Sequence, residues 1–309
     1  MTDFATVERA GPQTLIQDSG RRGQQHLGVS VSGSADSHAA GWANYLLDNS
    51  ASAALLEICL GPFALRFAAA TWVALAGADC GWRLNGQPLQ NWATSLIPAG
   101  GLLEGGIARS GLRSYVALAG GILTPSVWGS RATNVGERLG GLDGRALADG
   151  DQLPYTAAAR ARATCMPAEF ARTYSRRVRL RVVPSNQFEQ FPAAQRQRFF
   201  AHTYQVSPQS DRMGVRLQGA ALEPVPGNLI SEAVAPGAIQ MPGNGQPIVL
   251  MPDCQTIGGY PKLGHVYRVD LDHLAQARPG DEVQFELGDL REAQAELARL
   301  RRFFAADAS

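Results

Sequence analysis

The side chains that could perform chemistry are concentrated in four segments of this 309-residue chain. Each segment combines glycine with Asp, Arg, Gln, His or Lys at a density that strands and turns do not require. The segments comprise residues 17–36, 129–133, 210–214 and 237–262. Such segments are typical of loops that bind small polar ligands, because glycine lets the backbone approach closely and charged groups supply recognition.

The last segment contains the clearest candidate for an anion site. All but one of the 28 basic residues are arginine, and the exception, Lys262, follows Gly258, Gly259 and Tyr260. The backbone N–H groups of such a glycine turn, together with an ammonium group, could bind an anion. Gly258 and Gly259 also fit an ordinary tight turn, and Lys262 also fits a solvated surface charge.

Acid–base chemistry has candidates in the first segment. Histidine is the side chain that ordinarily exchanges protons near neutral pH, so His26 would suit proton transfer if a carboxylate such as Asp36 lies nearby. A histidine that only satisfies a turn is an equally good interpretation. In the third segment, Asp211 and Arg212 fit a structural turn whose side chains bind backbone groups.

Several other chemistries are excluded by the sequence. Lys262 lies between Pro261 and Leu263, so there is no P-loop with its Gly-Lys-Ser/Thr signature. Its Tyr-Pro-Lys-Leu context does not resemble a biotin carrier hairpin, so we expect no covalent biotin or other covalent cofactor. The His and Cys spacings fit no metal site, and we expect none. Cys254, without a partner visible in the sequence, is expected to be an inert thiol.

Short runs between glycine-rich turns predict the elements that position these segments. Glycine accounts for 34 of the 309 residues. Short strands separated by frequent glycine-containing turns are typical of β-barrels and β-sandwiches. We therefore expect a mainly β protein with a few helices. An Asn85-Gly86 turn predicts a hairpin over residues 82–89. The predicted strands are 65–67, 72–76, 114–119, 177–183, 248–251, 265–269 and 282–287.

Helical spacing of apolar residues occurs in three places. Residues 37–47 predict a helix that Ser34 or Asp36 could cap, 288–304 predict an amphipathic C-terminal helix, and 193–200 predict a shorter one. A chain of this length favours two lobes. We place an N-terminal β-rich lobe at 1–170 and a C-terminal lobe with the C-terminal helix at 171–309. Residues 157–176 are expected to form a solvated connector.

The charge balance bears on partners and location. The formal net charge is +1, and no basic patch with interleaved aromatic residues suggests nucleic-acid binding. No stretch of 18 apolar residues occurs, and the first residues do not resemble a signal peptide. We therefore expect a cytoplasmic protein that binds a small molecule, with neither a nucleic acid nor a membrane as partner.

In their order along the chain, these segments resemble the family of allophanate hydrolase subunit 2, or biotin-dependent carboxyltransferases, which includes the C subunit of 5-oxoprolinase. The resemblance extends from about residue 11 to about residue 286. Cys254, where the family often has arginine, and Ile257 depart from the pattern. The matching motifs are Gly-Pro-Gln-Thr-Leu-Ile-Gln-Asp-Ser-Gly-Arg at 11–21, Gln-His-Leu-Gly-Val at 25–29, Gly-Ser-Ala-Asp at 33–36, Gly-Ser-Arg-Ala-Thr at 129–133, Ser-Asp-Arg-Met-Gly at 210–214, Gly-Ala-Ile-Gln at 237–240 and Gly-Gly-Tyr-Pro at 258–261.

The resemblance implies two cyclophilin-like β-barrel lobes and a role in a larger assembly. It implies one component of an ATP-dependent 5-oxoprolinase, a lactam hydrolase that opens 5-oxo-L-proline to L-glutamate. The implied partners are a protein like the B subunit of 5-oxoprolinase (allophanate hydrolase subunit 1) and a LamB/YcsF-like protein, the A subunit of that enzyme. ATP is then a co-substrate of the complex, and we expect this chain to be inactive alone.

The resemblance also implies roles for the residues of the four segments. The carboxylate or phosphate of a ligand would be bound by Arg131, Arg212, Gln240, Gly258, Gly259, Tyr260 and Lys262. Proton transfer or water orientation would fall to His26, Asp36 and Asp211.

Two other functions stay open. One is a non-enzymatic regulatory binder of a subunit-1-like kinase inhibitor. The other is the carboxyltransferase half-site of a urea carboxylase/allophanate system.

Overall fold

The computed structural model describes residues 2–157, 162–223 and 230–305 and divides them into two compact units. Unit 1 comprises the described residues among 1–21, 32–174 and 302–309, and unit 2 comprises those among 22–31 and 175–301. The predicted class, mainly β with a few helices and a barrel, is confirmed. That 1–170 and 171–309 are separate domains stays a prediction.

The described residues of unit 1 form two antiparallel sheets and the helix α1, among other segments. A six-stranded sheet has the order β11-β1-β4-β9-β6-β7, and a five-stranded sheet has the order β2-β3-β10-β5-β8. The elements are β1 (Thr2–Arg9), β2 (Gln13–Gln17), α1 (Ser37–Tyr45), β3 (Leu55–Cys59), β4 (Phe63–Phe67), β5 (Thr71–Asp79), β6 (Arg83–Leu84), β7 (Gln87–Pro88), β8 (Ala93–Ile97), β9 (Leu102–Gly105), β10 (Ser110–Leu118) and β11 (Gln152–Thr156).

The core of unit 1 lies between these sheets. Val7 and Phe67 from one sheet and Leu75 and Val116 from the other are completely buried in one apolar cluster. Alternation of buried and outward residues along the strands produces this arrangement, because successive side chains point to opposite faces. Helix α1 packs on the other face of the five-stranded sheet, where Ala39 and Ala43 share a buried cluster with Ala74 and Ala117. Both faces of that sheet are therefore covered.

Local sequence signals locate the hairpin and the helix start correctly. Asn85 and Gly86 both have positive φ, at 48° and 81°, and connect β6 to β7. These angles are those of a type I′ turn, whose twist matches that of the strands. Asp36, and not Ser34, caps α1, because its side chain accepts a hydrogen bond from Ala39 N.

The segment expected to be a solvated connector is only partly so. Met166 is 6% exposed and belongs to the cluster under α1, and its N–H donates to Trp92 O at 2.8 Å. Thr94 N likewise donates to Thr164 O at 2.8 Å. Residues 162–166 therefore extend the five-stranded sheet and its core. Residues 158–161 of the segment lie outside the described residues.

Unit 2 is built on a closed barrel. The strand order is β12-β19-β16-β17-β14-β13-β20, and a two-stranded ribbon, β15-β18, is separate from it. Inside, Phe199 stacks on Phe285 with ring centroids 4.5 Å apart. The elements are β12 (Arg177–Pro184), α2 (Ala193–Ala201), β13 (Thr203–Val206), β14 (Gly214–Gln218), β15 (Glu232–Ala233), β16 (Ala238–Gln240), β17 (Ile248–Leu250), β18 (Ile257–Gly258), β19 (Lys262–Val266), α3 (Leu271–Leu274), β20 (Glu282–Leu287) and α4 (Leu290–Ala305).

Closure of the barrel depends on its first and last strands. β20 pairs in parallel with β12 from Arg177↔Glu282 to Val182↔Leu287 and antiparallel with β13. All seven predicted strands overlap strands of the structure, although the one predicted at 265–269 begins earlier, at Lys262. Within the described residues, no helix has the length and apolar character needed to cross a membrane.

Candidate functional site

Strand β19 places Lys262 in the barrel wall, opposite Gln240 of β16. Register partners in an antiparallel pair share one face of the sheet, so these two side chains are neighbours. Both are buried: Lys262 is 5% exposed and Gln240 is 2% exposed. The only lysine of the chain is therefore an interior group, which excludes the interpretation as a solvated surface charge.

Burial obliges the Lys262 ammonium to find compensating charge and hydrogen bonds. Its Nζ lies 3.0 Å from Glu232 Oε1 and donates to Ala233 O at 3.2 Å. The backbone around it is fixed as well. Lys262 N donates to Gln187 Oε1 at 2.6 Å, and the Ser185 hydroxyl donates to Lys262 O. Lys262 is thus held through both its backbone and its ammonium group.

Gly258 lies beside this cluster in β18 rather than in a tight turn. It pairs with Glu232 of β15, and a Cβ built on Gly258 would lie 2.5 Å from Gln240 Nε2. Any larger residue would therefore displace the Gln240 amide. A Cβ on Gly259 would meet Ser231 Oγ at 3.2 Å, and Tyr260 is 51% exposed. The structure thus gathers Gln240, Gly258 and Lys262, with Gly259 and Tyr260 in the adjoining segment.

Arg212 and Asp211 occupy another loop of unit 2. Arg212 is 5% exposed and forms a bidentate pair with Asp253, with Nε and Nη2 at 2.8 and 3.0 Å from the two carboxylate oxygens. Asp211 Oδ1 accepts from Met213 N at 2.8 Å and from Gly214 N at 3.1 Å. These contacts match the structural interpretation of the turn. Their functional roles stay predictions.

His26 and Asp36 belong to different units. His26 lies exposed in a 3₁₀ turn, Gln25–Leu27, of unit 2. Asp36 is completely buried in unit 1, where its carboxylate caps α1 and its Oδ2 accepts from Tyr174 OH at 3.1 Å. Proton transfer by either group stays a prediction.

Asp36 adjoins a buried ionic network in unit 1. Asp36 N donates to Tyr115 OH at 2.9 Å, and Tyr115 OH donates to Glu57 Oε2 at 2.8 Å. Glu57 Oε1 lies 3.4 Å from Arg113 Nε, with both side chains almost fully buried. Burial, and then the charge of Glu57, raise the pKa of Tyr115 well above its usual value. The phenol is therefore a permanent hydrogen-bond donor.

Arg131 is anchored in unit 1 by Asp18, a residue of the first segment. Arg131 N donates to Asp18 Oδ2 at 2.6 Å, and the Ser130 hydroxyl donates to Asp18 Oδ1 at 2.7 Å. The Arg131 Nε donates to Thr124 O at 2.6 Å. The segments 17–36 and 129–133 are therefore in contact through the hydrogen bonds that Asp18 accepts.

The Cys254 thiol in unit 2 has low reactivity. Burial, together with the charge of Asp253, raises the pKa of the Cys254 thiol to about 12. The thiolate is the reactive form of cysteine, so this side chain is inert near neutral pH. Among the residues described, no group of three or more His, Cys, Asp or Glu side chains is arranged to hold a metal ion.

The pKa of His265 depends on the charge of Lys262. Burial, and then the Lys262 ammonium, lower the pKa of His265 below its usual value of 6.5. We predict that Lys262→Met raises the His265 pKa, as measured by NMR titration of the imidazole Cε1 proton. An unchanged titration would contradict an ammonium at this place. The control Arg66→Met, at a surface pair with Glu8, should leave it unaltered.

The same shift has a consequence for stability. Since the folded-state pKa is below the unfolded value, the unfolded chain binds the proton more readily. The free energy of unfolding therefore falls as the pH drops below 6.5 and levels off below the folded-state pKa.

The residues around the lysine, here called the Lys262 cluster, are Lys262, Gln240, Gln187 and Glu232. Two of them cannot be identified from the sequence alone. Gln187 and Glu232 complete the cluster, since the Gln187 Nε2 donates to Glu232 and its Oε1 fixes the Lys262 backbone. Glu232 lies in no motif and carries no local signal. The one available signal is indirect, because a buried lysine almost always has a carboxylate partner.

Chemically, the cluster is a set of buried donors around an anion. Lys262 Nζ and Gln187 Nε2 both bind the Glu232 carboxylate. Gln240 Nε2 has no hydrogen-bond partner among residues 2–157, 162–223 and 230–305. The arrangement can hold a carboxylate, a phosphate or the oxygen of an amide.

Comparison with known proteins gives a consistent assignment. The chain is 39% identical over 301 residues to the C subunit of 5-oxoprolinase from Escherichia coli, covering 96% of both chains. It is 34% identical to the C subunit of 5-oxoprolinase from Haemophilus influenzae, covering 94% of this chain and 92% of the relative.

A solved structure and a family profile complete the comparison. The urea amidolyase of Kluyveromyces lactis superimposes with a TM-score of 0.91 at 26% identity, over 99% of this chain but only 20% of that one. The profile of the carboxyltransferase domain, subdomains A and B, matches residues 27–287. These residues are most of the chain, and this protein therefore belongs to the family of carboxyltransferase domains with subdomains A and B.

Proposed function

We propose that this chain is one component of an ATP-dependent 5-oxoprolinase, which opens 5-oxo-L-proline to L-glutamate. The observation that carries the proposal is the 39% identity to the C subunit of a 5-oxoprolinase over 96% of both chains. The buried donors around Lys262 support it, because the substrate and its ATP-derived phosphate are both anionic. In this proposal the assembly works in the cytoplasm, which supplies the ATP.

The chemistry explains why ATP is needed. Amide resonance makes the unstrained lactam a poor electrophile, and phosphorylation of the lactam oxygen turns that oxygen into a leaving group. Oriented N–H donors and a cation stabilise the negative charge that develops on the oxygens. In this proposal Lys262 and Gln240 hold the carboxylate or phosphate, beside the open backbone at Gly258 and Gly259.

The remaining steps require other groups. Arg131, Arg212 and Tyr260 are proposed to contact the anion, and His26, Asp36 or Asp211 to move the proton or orient water. Since the sequence has no P-loop, we assign the nucleotide to a partner or to a cleft shared with one. The proposed partners are a protein like the B subunit of 5-oxoprolinase (allophanate hydrolase subunit 1) and a LamB/YcsF-like protein in the role of its A subunit. The chain alone is inactive.

The test is glutamate release from 5-oxo-L-proline and ATP by this chain co-purified with the two proposed partners. Each of the three proteins is omitted in turn. Glutamate is expected only from the full set, and its loss when this chain is left out identifies the chain as an essential component. Failure of a fully assembled complex to release glutamate would overturn the proposal.

One observation favours a second candidate, carboxyl transfer. The K. lactis urea amidolyase matches 99% of this chain with a TM-score of 0.91. In this alternative the cluster around Lys262 would orient urea and carboxybiotin, with the biotin attached to a carrier domain elsewhere. Urea-dependent consumption of ATP with a biotinylated carrier, in the absence of glutamate formation, would favour it.

A further inference from the structure

The ion pair between Lys262 and Glu232 is asymmetric in its exposure. The Lys262 side chain is 7% exposed, whereas that of Glu232 is 37% exposed. The ammonium is thus fixed in the interior, while the carboxylate reaches it from the solvent side. Of the two partners, only Glu232 can leave without stranding a buried charge of its own.

The donors that bind Glu232 are held in place independently of it. Gln187 is 4% exposed, and its Oε1 accepts from Lys262 N at 2.6 Å, which directs its Nε2 towards Glu232. Lys262 lies in β19 of the barrel. If the Glu232 carboxylate moves away, the two donors remain in position and become available to another anion.

A third donor at this place has no acceptor. Gln240 is 2% exposed, and within the described part of the chain its Nε2 makes no hydrogen bond. Burial of a donor without an acceptor is energetically unfavourable. This Nε2 lies close to Gly258, the strand partner of Glu232. A Cβ on Gly258 would be 2.5 Å from it. Beside the Lys262–Glu232 pair, Gln240 therefore offers a buried donor that an added oxygen atom could satisfy.

The backbone that carries Glu232 belongs to a short ribbon outside the barrel. Strand β15 has two residues and pairs with β18 through Glu232↔Gly258 and Ala233↔Ile257, and a hydrogen bond from Val234 N to Thr256 O extends this pairing by one residue. Short ribbons with few pairs open at low free energy. Glu232 can therefore leave Lys262 through side-chain rotation or a small movement of the ribbon.

We propose that Glu232 is an internal substitute for the anionic group of a ligand. Its carboxylate neutralises Lys262 in the free chain and leaves when a carboxylate or phosphate oxygen binds Lys262 Nζ, Gln187 Nε2 and Gln240 Nε2. Only the identity of the natural anion rests on the proposed function. The displacement itself depends on this chain alone.

Competition by Glu232 has a measurable size. A ligand that binds only the open form has its apparent Kd raised by the inverse of the open fraction, so a pair formed about 90% of the time weakens binding about tenfold. Glu232→Gln removes the charge that competes and keeps the shape of the side chain. The variant should therefore bind small anions about tenfold more tightly than the natural sequence.

The experiment titrates the full chain, without partners, with acetate in one arm and inorganic phosphate in the other, by calorimetry. Glu232→Gln and Glu232→Ala should both tighten binding, and the arm with the larger gain identifies carboxylate or phosphate as the preferred class. Lys262→Met should abolish binding and Gln240→Leu should weaken it. Glu8→Gln, which removes a carboxylate from an exposed pair with Arg66, should change nothing.

The outcome separates this inference from the proposed function. Binding that is unchanged or weaker in both Glu232 variants, with their thermal unfolding intact, overturns the displacement. Tighter binding in the variants of an assembly that releases no glutamate upholds the displacement and rejects the 5-oxoprolinase assignment.

Discussion

Replacing Lys262 by methionine is expected to lower glutamate formation by the assembled enzyme about 100-fold or more, with the fold intact. Loss of one preorganised donor to a developing oxyanion typically has an effect of about 10²–10³ on kcat. The ammonium is also the only cation in direct contact with Glu232 within the Lys262 cluster. Methionine keeps the length of the aliphatic chain, and Glu232, at 37% side-chain exposure, can return to water.

The measurement is glutamate release by the complex, with thermal unfolding of the variant as the test of folding. Arg66→Met is the matched control, because it removes one basic charge from a surface pair in which Arg66 Nε lies 2.6 Å from Glu8 Oε1. Full activity in the Lys262→Met complex would eliminate the cluster as the anion site. Equal loss of activity in the control would attribute the effect to net charge.

Truncation of Glu57 to alanine is expected to lower the free energy of unfolding by about 3–5 kcal/mol, the range for breaking a buried ion pair. The Glu57 carboxylate faces Arg113 Nε at 3.4 Å and accepts hydrogen bonds from Tyr115 OH and Ala35 N, both at 2.8 Å. Alanine removes the charge that compensates Arg113 and leaves two buried donors without this acceptor.

Urea denaturation of the chain measures this prediction through the midpoint at constant slope. Glu8→Ala, at the exposed pair with Arg66, is the control and should change the free energy of unfolding by about 1 kcal/mol or less. A Glu57→Ala variant no less stable than the control would show that the network contributes nothing to unit 1. In that case, glutamate formation by the assembled enzyme would test whether the Glu57 network contributes to the site instead.

Local patterns in the sequence predict part of this fold, although strands such as β1, β2 and β3 are not among the predicted ones. The Asn85-Gly86 hairpin and the cap of α1 follow from chemistry within a few residues, and the strands follow from apolar runs between glycines. The start of β19 is different. Its first residues include Lys262 and Gly264, which have low strand propensity, and only pairing with β16 and β12 makes them part of a strand.

The candidate site is predictable only in part, for a related reason. The motif at residues 258–262 is visible because its residues are contiguous. The residues that complete the cluster, Gln187 and Glu232, come from elsewhere along the chain and carry no signal of their own. Asp253 and Asp18 lie within segments singled out from the sequence, but their pairing with Arg212 and Arg131 is visible only in the structure. Long-range charge pairing is set by the tertiary fold, so a single sequence does not specify it.

The pairing of β12 with β20 has a consequence for synthesis of the protein. These are the first and last strands of the barrel, and β20 fills the gap between β12 and β13. Until residues 282–287 leave the ribosome, the edges of both strands present unpaired N–H and C=O groups, which promote association with other chains. Non-local pairing of this kind also forms slowly. We therefore expect barrel closure to be a late step of folding, and fragments that end before residue 282 to aggregate through the open edges.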